Sequence, residues 1–171
     1  MWNALKLVKM WEGRQAVSNV LTDSNFATEW FDNRLNEVRL ELDKQYKEFS
    51  LSEALKTIYS LIWDDFCSWY LEWVKPGFEQ PVDKKIYEKT VDFFEQLMQL
   101  LHPFMPFITE EIFHLLKERK DDLTIKQLST MKAPIDAIIK NGSLLKEVIT
   151  ASRDARVTPH LTPKDTISLH L

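Results

Sequence analysis

Apolar residues return at three- and four-residue steps through stretch after stretch of this chain. That rhythm confines it to helices packed on helices. Trp30, Phe31, Leu35, Val38 and Leu42 form one stripe. Leu51, Leu55, Ile58, Ile62 and Phe66 form the next, which continues through Trp69 to Trp73 and stops at Lys75-Pro76-Gly77. Ile86, Phe93, Leu97 and Leu100 share a face of a segment over about 83–101. Leu5 and Val8, with Trp2, predict an opening helix over 2–12. The chain holds only three glycines, Gly13, Gly77 and Gly142, each where a stripe stops, as in a helical protein with few tight turns. The polar stretch 18–25 reads as a loop with Ser24 or Asn25 capping the helix that follows. Ser50 and Glu53 have the S-x-x-E spacing of a capping box.

LLHPFMPFITEEIF, residues 100–113, places two prolines inside an apolar run. Proline lacks an N–H and clashes with the preceding turn, so Pro103 ends the fourth helix at His102. Pro106 suits the first turn of a new helix, where a missing N–H costs nothing. Glu110 and Glu111 then lie near the positive end of that helix. The pair of prolines predicts a rigid helix–helix corner, packed from inside by Phe104, Met105 and Phe107. Beyond Lys120 the texture changes. Leu123–Ile125 and Ile135–Ile139 suggest a strand and a linker, Ser143 a cap for a helix to about Arg156, and the alternating residues 166–171 a strand. The fold expected is mainly α: a helical bundle over 1–120 and a small α/β subdomain over 121–171 that reads as truncated.

Charge and chemistry narrow the function. The formal net charge of −4 argues mildly against nucleic acid. The ends nevertheless concentrate cations: Lys6, Lys9 and Arg14 near the start, and Lys140, Lys146, Arg153, Arg156 and Lys164 near the finish. One cysteine, Cys67, excludes a disulfide within the chain and suggests a reducing, cytoplasmic compartment. No apolar run is long enough to span a membrane. Glu111 and His114 have E-x-x-H spacing, but a di-iron bundle needs two such pairs and two further glutamates; the other histidines (His102, His160, His170) lack a glutamate three residues ahead. The pair therefore reads as a surface ion pair, and no metal or cofactor is expected here. No glycine-rich phosphate loop and no Ser/His/Asp arrangement occurs, so the residues show no catalytic site.

Three stretches carry a resemblance: WNALKLV at 2–8, IWDDFCSWYLEWVKP at 62–76 and the proline corner at 100–113. Together they resemble the anticodon-binding helical domain of class I aminoacyl-tRNA synthetases, the branch charging valine, leucine, isoleucine and methionine. The tryptophan-rich run and HPFMPF are most similar to the valyl-tRNA synthetase family. The resemblance implies a piece that grips the anticodon arm of tRNA(Val), with the remainder of a synthetase chain as its other partner. The parent reaction, ligation of valine to tRNA, uses ATP and Mg. The H-I-G-H and K-M-S-K-S type signatures and the editing domain are missing, so this stretch is expected to be non-catalytic alone. The alternatives are an isoleucyl, leucyl or methionyl relative, or a helical protein-interaction domain with no RNA role.

The resemblance implies an RNA-binding role for the first helix and its exit: Asn3 to read a base edge, Lys6 and Lys9 to reach phosphate or base, Trp11 to stack, and Arg14 beside them. Arg34 is expected either to contact RNA or to tie the bundle internally, and Arg153 and Arg156, one turn apart, to touch the tRNA stem. Trp63, Asp64, Trp69 and Tyr70 are assigned to packing rather than RNA, with Asp64 or Asp65 satisfying a buried donor.

Overall fold

A computed structural model describes residues 1–16, 22–77 and 79–157. The fold is mainly α. Helix α1 (Trp2–Glu12) leads to α2 (Thr22–Lys47). A long rod follows: α3 (Leu51–Ser60), a π-helical stretch Leu61–Tyr70, and α4 (Leu71–Val74). Then come α5 (Lys84–Leu101), α6 (Pro106–Leu116), a 3₁₀ turn Leu123–Ile125, and α7 (Asp136–Val157). Gln15–Ala16 (β1) pairs in parallel with Val82–Asp83 (β2), register Gln15 to Val82, which ties the exit of α1 to the start of α5. Residues through Pro134 make one compact unit and Ile135 opens a second. In the second unit the helix begins ahead of Ser143 and runs through Gly142. The strand expected over 166–171 lies outside the described residues.

The core of the first unit is aromatic. Phe31 of α2 is fully buried, with ring centroids 5.3 Å from Phe66, 5.1 Å from Tyr70 and 5.0 Å from Phe93. These edge and tilted contacts add to what burial alone contributes. The Tyr70 hydroxyl donates to Thr90 Oγ1 at 2.8 Å, and Thr90 in turn donates to the Ile86 carbonyl, so the one polar tip in this cluster is satisfied. Burial raises the Tyr70 phenol to about 12, keeping it neutral.

The rod departs from its expected phase. Leu51 and Leu55 face outward, while Ala54, Ile58, Ile62, Phe66, Tyr70 and Val74 are buried. That buried row advances by four residues each time. In an α-helix four residues overshoot one turn by about 40°, so such a row would wind off the core. The π turn is wider, with Leu71 N–H reaching back to the Phe66 carbonyl, and it keeps the row facing inward.

Several local expectations are corrected. Ser50 caps α3 by position only: its side chain makes no cap hydrogen bond, and Glu53 pairs with Lys56 at 2.9 Å. Ser24 and Asn25 fall inside α2 rather than ahead of it. A side-chain cap forms at Asp83, which accepts from Lys85 N at 2.7 Å and Ile86 N at 3.3 Å. The proline corner forms as expected, with Pro106 in the first turn of α6. Its inside is not aromatic: Phe107 is 90% exposed and Met105 50%, and Phe104 is half-buried. Leu101 and Thr109 close it, and His102 Nδ1 meets Thr109 Oγ1 at 2.8 Å. Leu123–Ile125 is a 3₁₀ turn rather than a strand, and Ile138 and Ile139 belong to α7.

Between α2 and α3 the chain turns through Phe49, which adopts φ 58°. Ser50 N bonds Gln45 O at 2.9 Å and Phe49 N bonds Tyr46 O at 3.1 Å, the paired bonds of a Schellman ending. That left-handed position favours glycine, and the Phe49 side chain is 88% exposed, so it gains little by burial. Phe49→Gly is therefore expected to stabilise the fold by about 1 kcal/mol. Urea unfolding would read this as a higher midpoint at unchanged slope; an unchanged or lowered midpoint would contradict it.

Candidate nucleic-acid interface

Helix α1 is amphipathic, and its apolar positions decide which side is left for a ligand. Ala4, Leu5, Val8 and Trp11 are buried. The opposite side, Trp2, Asn3, Lys6 and Met10, is exposed. Asn3, Lys6 and Met10 follow one another at three- and four-residue steps, so they form one ridge. Lys6 has no hydrogen bond or ion pair among the described residues. Lys9 lies at the edge of this face and is paired with Glu12 at 2.5 Å, an exposed pair that contributes little and can be exchanged for another anion. Arg14 is exposed just past the helix, its position set by the strand pairing: its carbonyl accepts from Val82 N at 3.0 Å.

The structure thus brings Asn3, Lys6 and Lys9 onto adjoining parts of one helix, with Arg14 at its exit. It does not add Trp11, which is 3% exposed and packed in the core. A ring closed in on that scale has no free face to stack on a base. Trp11 helps hold α1 in place instead.

Arg34 is committed internally. Its Nε donates to Asp65 Oδ2 at 2.9 Å and its Nη1 to Glu37 Oε2 at 2.5 Å. Burial pulls the guanidinium's pKa down, but Asp65 and then Glu37 outweigh it and hold the charge firmly. The bridge joins α2 to the π stretch, and it gives Asp65 the role of partner to a part-buried donor. Arg153 and Arg156 lie on α7 in the second unit, and both already take part in an intramolecular interaction.

The packing assignment of the tryptophan-rich run holds for Tyr70, which is fully buried. Trp69 is half-buried, 5.6 Å from Trp73. It fails for Trp63, which is 54% exposed and stacked on Tyr59 with planes 12° apart and centroids 6.3 Å apart. The signal was present as the four-residue spacing of Leu51, Leu55, Tyr59 and Trp63, all exposed, but only the π turn tells which of the rod's two apolar rows faces out. Cys67 is half-buried and burial pushes its thiol up, as suits an unreactive group. Among the described residues no helix is long and apolar enough to cross a membrane.

Comparison with known proteins gives a consistent answer. The chain is 42% identical to the valine–tRNA ligase of Phocaeicola vulgatus, over 100% of its own length and 20% of that protein. It is 43% identical to the valine–tRNA ligase of Porphyromonas gingivalis, covering 99% of this chain and 19% of the relative. With that of Parabacteroides distasonis the identity is 39%, over 100% and 20%. The chain therefore spans about a fifth of the length of the curated relatives it matches. A family profile described as the anticodon-binding domain of tRNA ligase matches residues 28–171, from within α2 onward. A helical bundle, a proline corner and this match over most of the sequence lead to one conclusion: the chain belongs to the family of anticodon-binding domains of tRNA ligases.

Proposed function

We propose that this domain binds the anticodon arm of a valine tRNA, and that the outward ridge of α1 with Arg14 is the surface it uses. The observation that carries this reading is the exposed Asn3–Lys6–Met10 ridge, an amide and a cation without partners among the described residues, on a chain of the anticodon-binding family. An asparagine amide can pair with a base edge in an unstacked loop, and lysine and arginine can hold phosphate. The names of the relatives support valine over the other members of the branch. On this reading, ligation of valine to tRNA with ATP and Mg belongs to the remainder of a longer synthetase chain.

The test is binding of this chain to a valine tRNA transcript at low and moderate salt, beside the same tRNA carrying a methionine anticodon. Preference for the native anticodon is expected. Asn3→Ala should cost about 1–3 kcal/mol and erase much of that preference, as loss of a base contact does. Lys6→Ala should weaken both tRNAs alike and lower the salt slope by about one. If neither variant changes binding, α1 is not the interface. If the wild-type chain binds neither tRNA, the autonomous binding proposed here is wrong.

A further inference from the structure

We propose that Glu110, His114 and Asp122 form a site for a divalent cation of zinc's softness, closing α6 onto the turn that follows it. Glu110 and His114 lie one turn apart on α6, and the chain then folds back to bring Asp122 alongside. His114 Nε2 is 3.4 Å from Glu110 Oε1 and 3.3 Å from Asp122 Oδ1. The three donor atoms all lie within 4.8 Å of one another. Ligands held about 2.0–2.1 Å from a tetrahedral zinc ion are about 3.3 Å apart along each edge, so two of the edges already have that length. An imidazole with two carboxylates suits zinc better than magnesium or calcium, which prefer all-oxygen sets. Water would fill the remaining position.

The Glu110 carboxylate is also oriented from behind. Its Oε1 accepts from Leu123 N at 2.6 Å and its Oε2 from Thr124 Oγ1 at 3.3 Å. Such outer contacts fix the direction of a ligating carboxylate. His102 Nε2 stands 4.0 Å from Glu110 Oε2 but is engaged with Thr124 Oγ1 at 3.1 Å, so it is an outer group rather than a fourth ligand. The E-x-x-H spacing in the sequence pointed to Glu111; the structure selects Glu110, one full turn before His114, and leaves Glu111 exposed. The arrangement that competes with a metal is His114 Nε2 held between the two carboxylates without one.

Zinc binding separates the two. The chain is stripped with EDTA and titrated with zinc chloride against a chromophoric chelator, and thermal unfolding is followed in parallel. His160, His170 and Cys67 can also take zinc, so the assignment rests on variants. We expect one zinc per chain at micromolar free metal, a higher unfolding midpoint with zinc, and at least about tenfold weaker binding in His114→Gln and Asp122→Asn. Asp122 has a side chain 66% exposed, so its variant remains informative even if His114→Gln perturbs folding. Absence of binding in the wild type, or binding as tight in both variants as in the wild type, overturns the site.

Discussion

Phe31→Ala is expected to remove about 3–5 kcal/mol of stability, the range for truncating a buried aromatic. Phe31 has no exposed surface and touches rings from the π stretch and from α5, at 5.3 Å, 5.1 Å and 5.0 Å. Those elements meet around this one side chain, so they cannot collapse into the space without abandoning one another. A domain of ordinary stability has about 5–15 kcal/mol in all, so the variant should lose a large fraction of its stability. Phe31→Leu keeps most of the volume and should cost markedly less, about 1–2 kcal/mol. Urea unfolding of both variants checks the claim. An alanine variant within about 1 kcal/mol of wild type would show that the ring cluster is not the centre of the core.

Glu95→Ala should be nearly as severe, for an electrostatic reason. Glu95 is 8% exposed on α5 and receives Arg119 and Lys126 from the chain segment after α6. The Arg119 guanidinium lies 3.7 Å over the Phe113 ring, with its side chain 9% exposed. Removing the carboxylate leaves that cation buried beside an aromatic and unpaired, which costs about 3–5 kcal/mol. Replacing both partners, Glu95→Leu with Arg119→Met, should recover most of the loss, because the buried guanidinium is gone and Lys126, whose side chain is 33% exposed, can turn to water. Failure of the double variant to recover would mean that the Glu95 site matters for its shape rather than its charge.

The same carboxyl predicts a pH dependence. Burial pushes its pKa up, but the hydrogen bonds and charges of Arg119 and Lys126 outweigh this and hold it below the usual 4.5. A folded value below the unfolded one means stability that is present above the unfolded value and lost as pH falls through the folded one. The wild type should therefore lose stability on acidification below about pH 4.5 more steeply than Glu95→Ala, which has already lost the pair. Parallel acid profiles for the two proteins would contradict the assignment.

Residues after α6 show how side chains organise a stretch that lacks its own periodicity. Asn36 Oδ1 accepts from Lys132 N at 3.0 Å, Arg39 donates to Ser129 Oγ at 3.1 Å, and Gln99 donates to the carbonyls of Lys126 and Gln127 at 3.2 Å and 3.3 Å. Buried Asn36 and Arg39, with Gln99, thereby satisfy a segment that forms neither helix nor sheet. Nothing in residues 126–132 themselves announces this. The donors and acceptors are supplied from α2 and α5, far away in sequence.

The first six helical segments, the proline corner and the family were legible in the residues alone, whereas the last helix begins at Asp136 and not at Ser143. Periodic apolar side chains need a shared face, proline cannot continue a helix, and WNALKLV, DDFCSWYLE and HPFMPF are distinctive strings. What only the tertiary structure decided is which apolar row faces inward where a helical stretch carries two, as along α3 and the π stretch. Trp11 and Trp63 are the same residue type, each on a helical segment with apolar neighbours. One is buried and the other exposed because α1 is set against α5 and the rod is unwound into a π turn. Phe107 was expected inside its corner and stands outside, while Leu101 and Thr109 are the corner's buried residues. Glu110, not Glu111, meets His114, and Asp122 joins them only because the chain folds back after α6. Side-chain spacing specifies periodicity, but the phase of a helix and contacts between distant segments are set by packing, where competing burial is settled by shape.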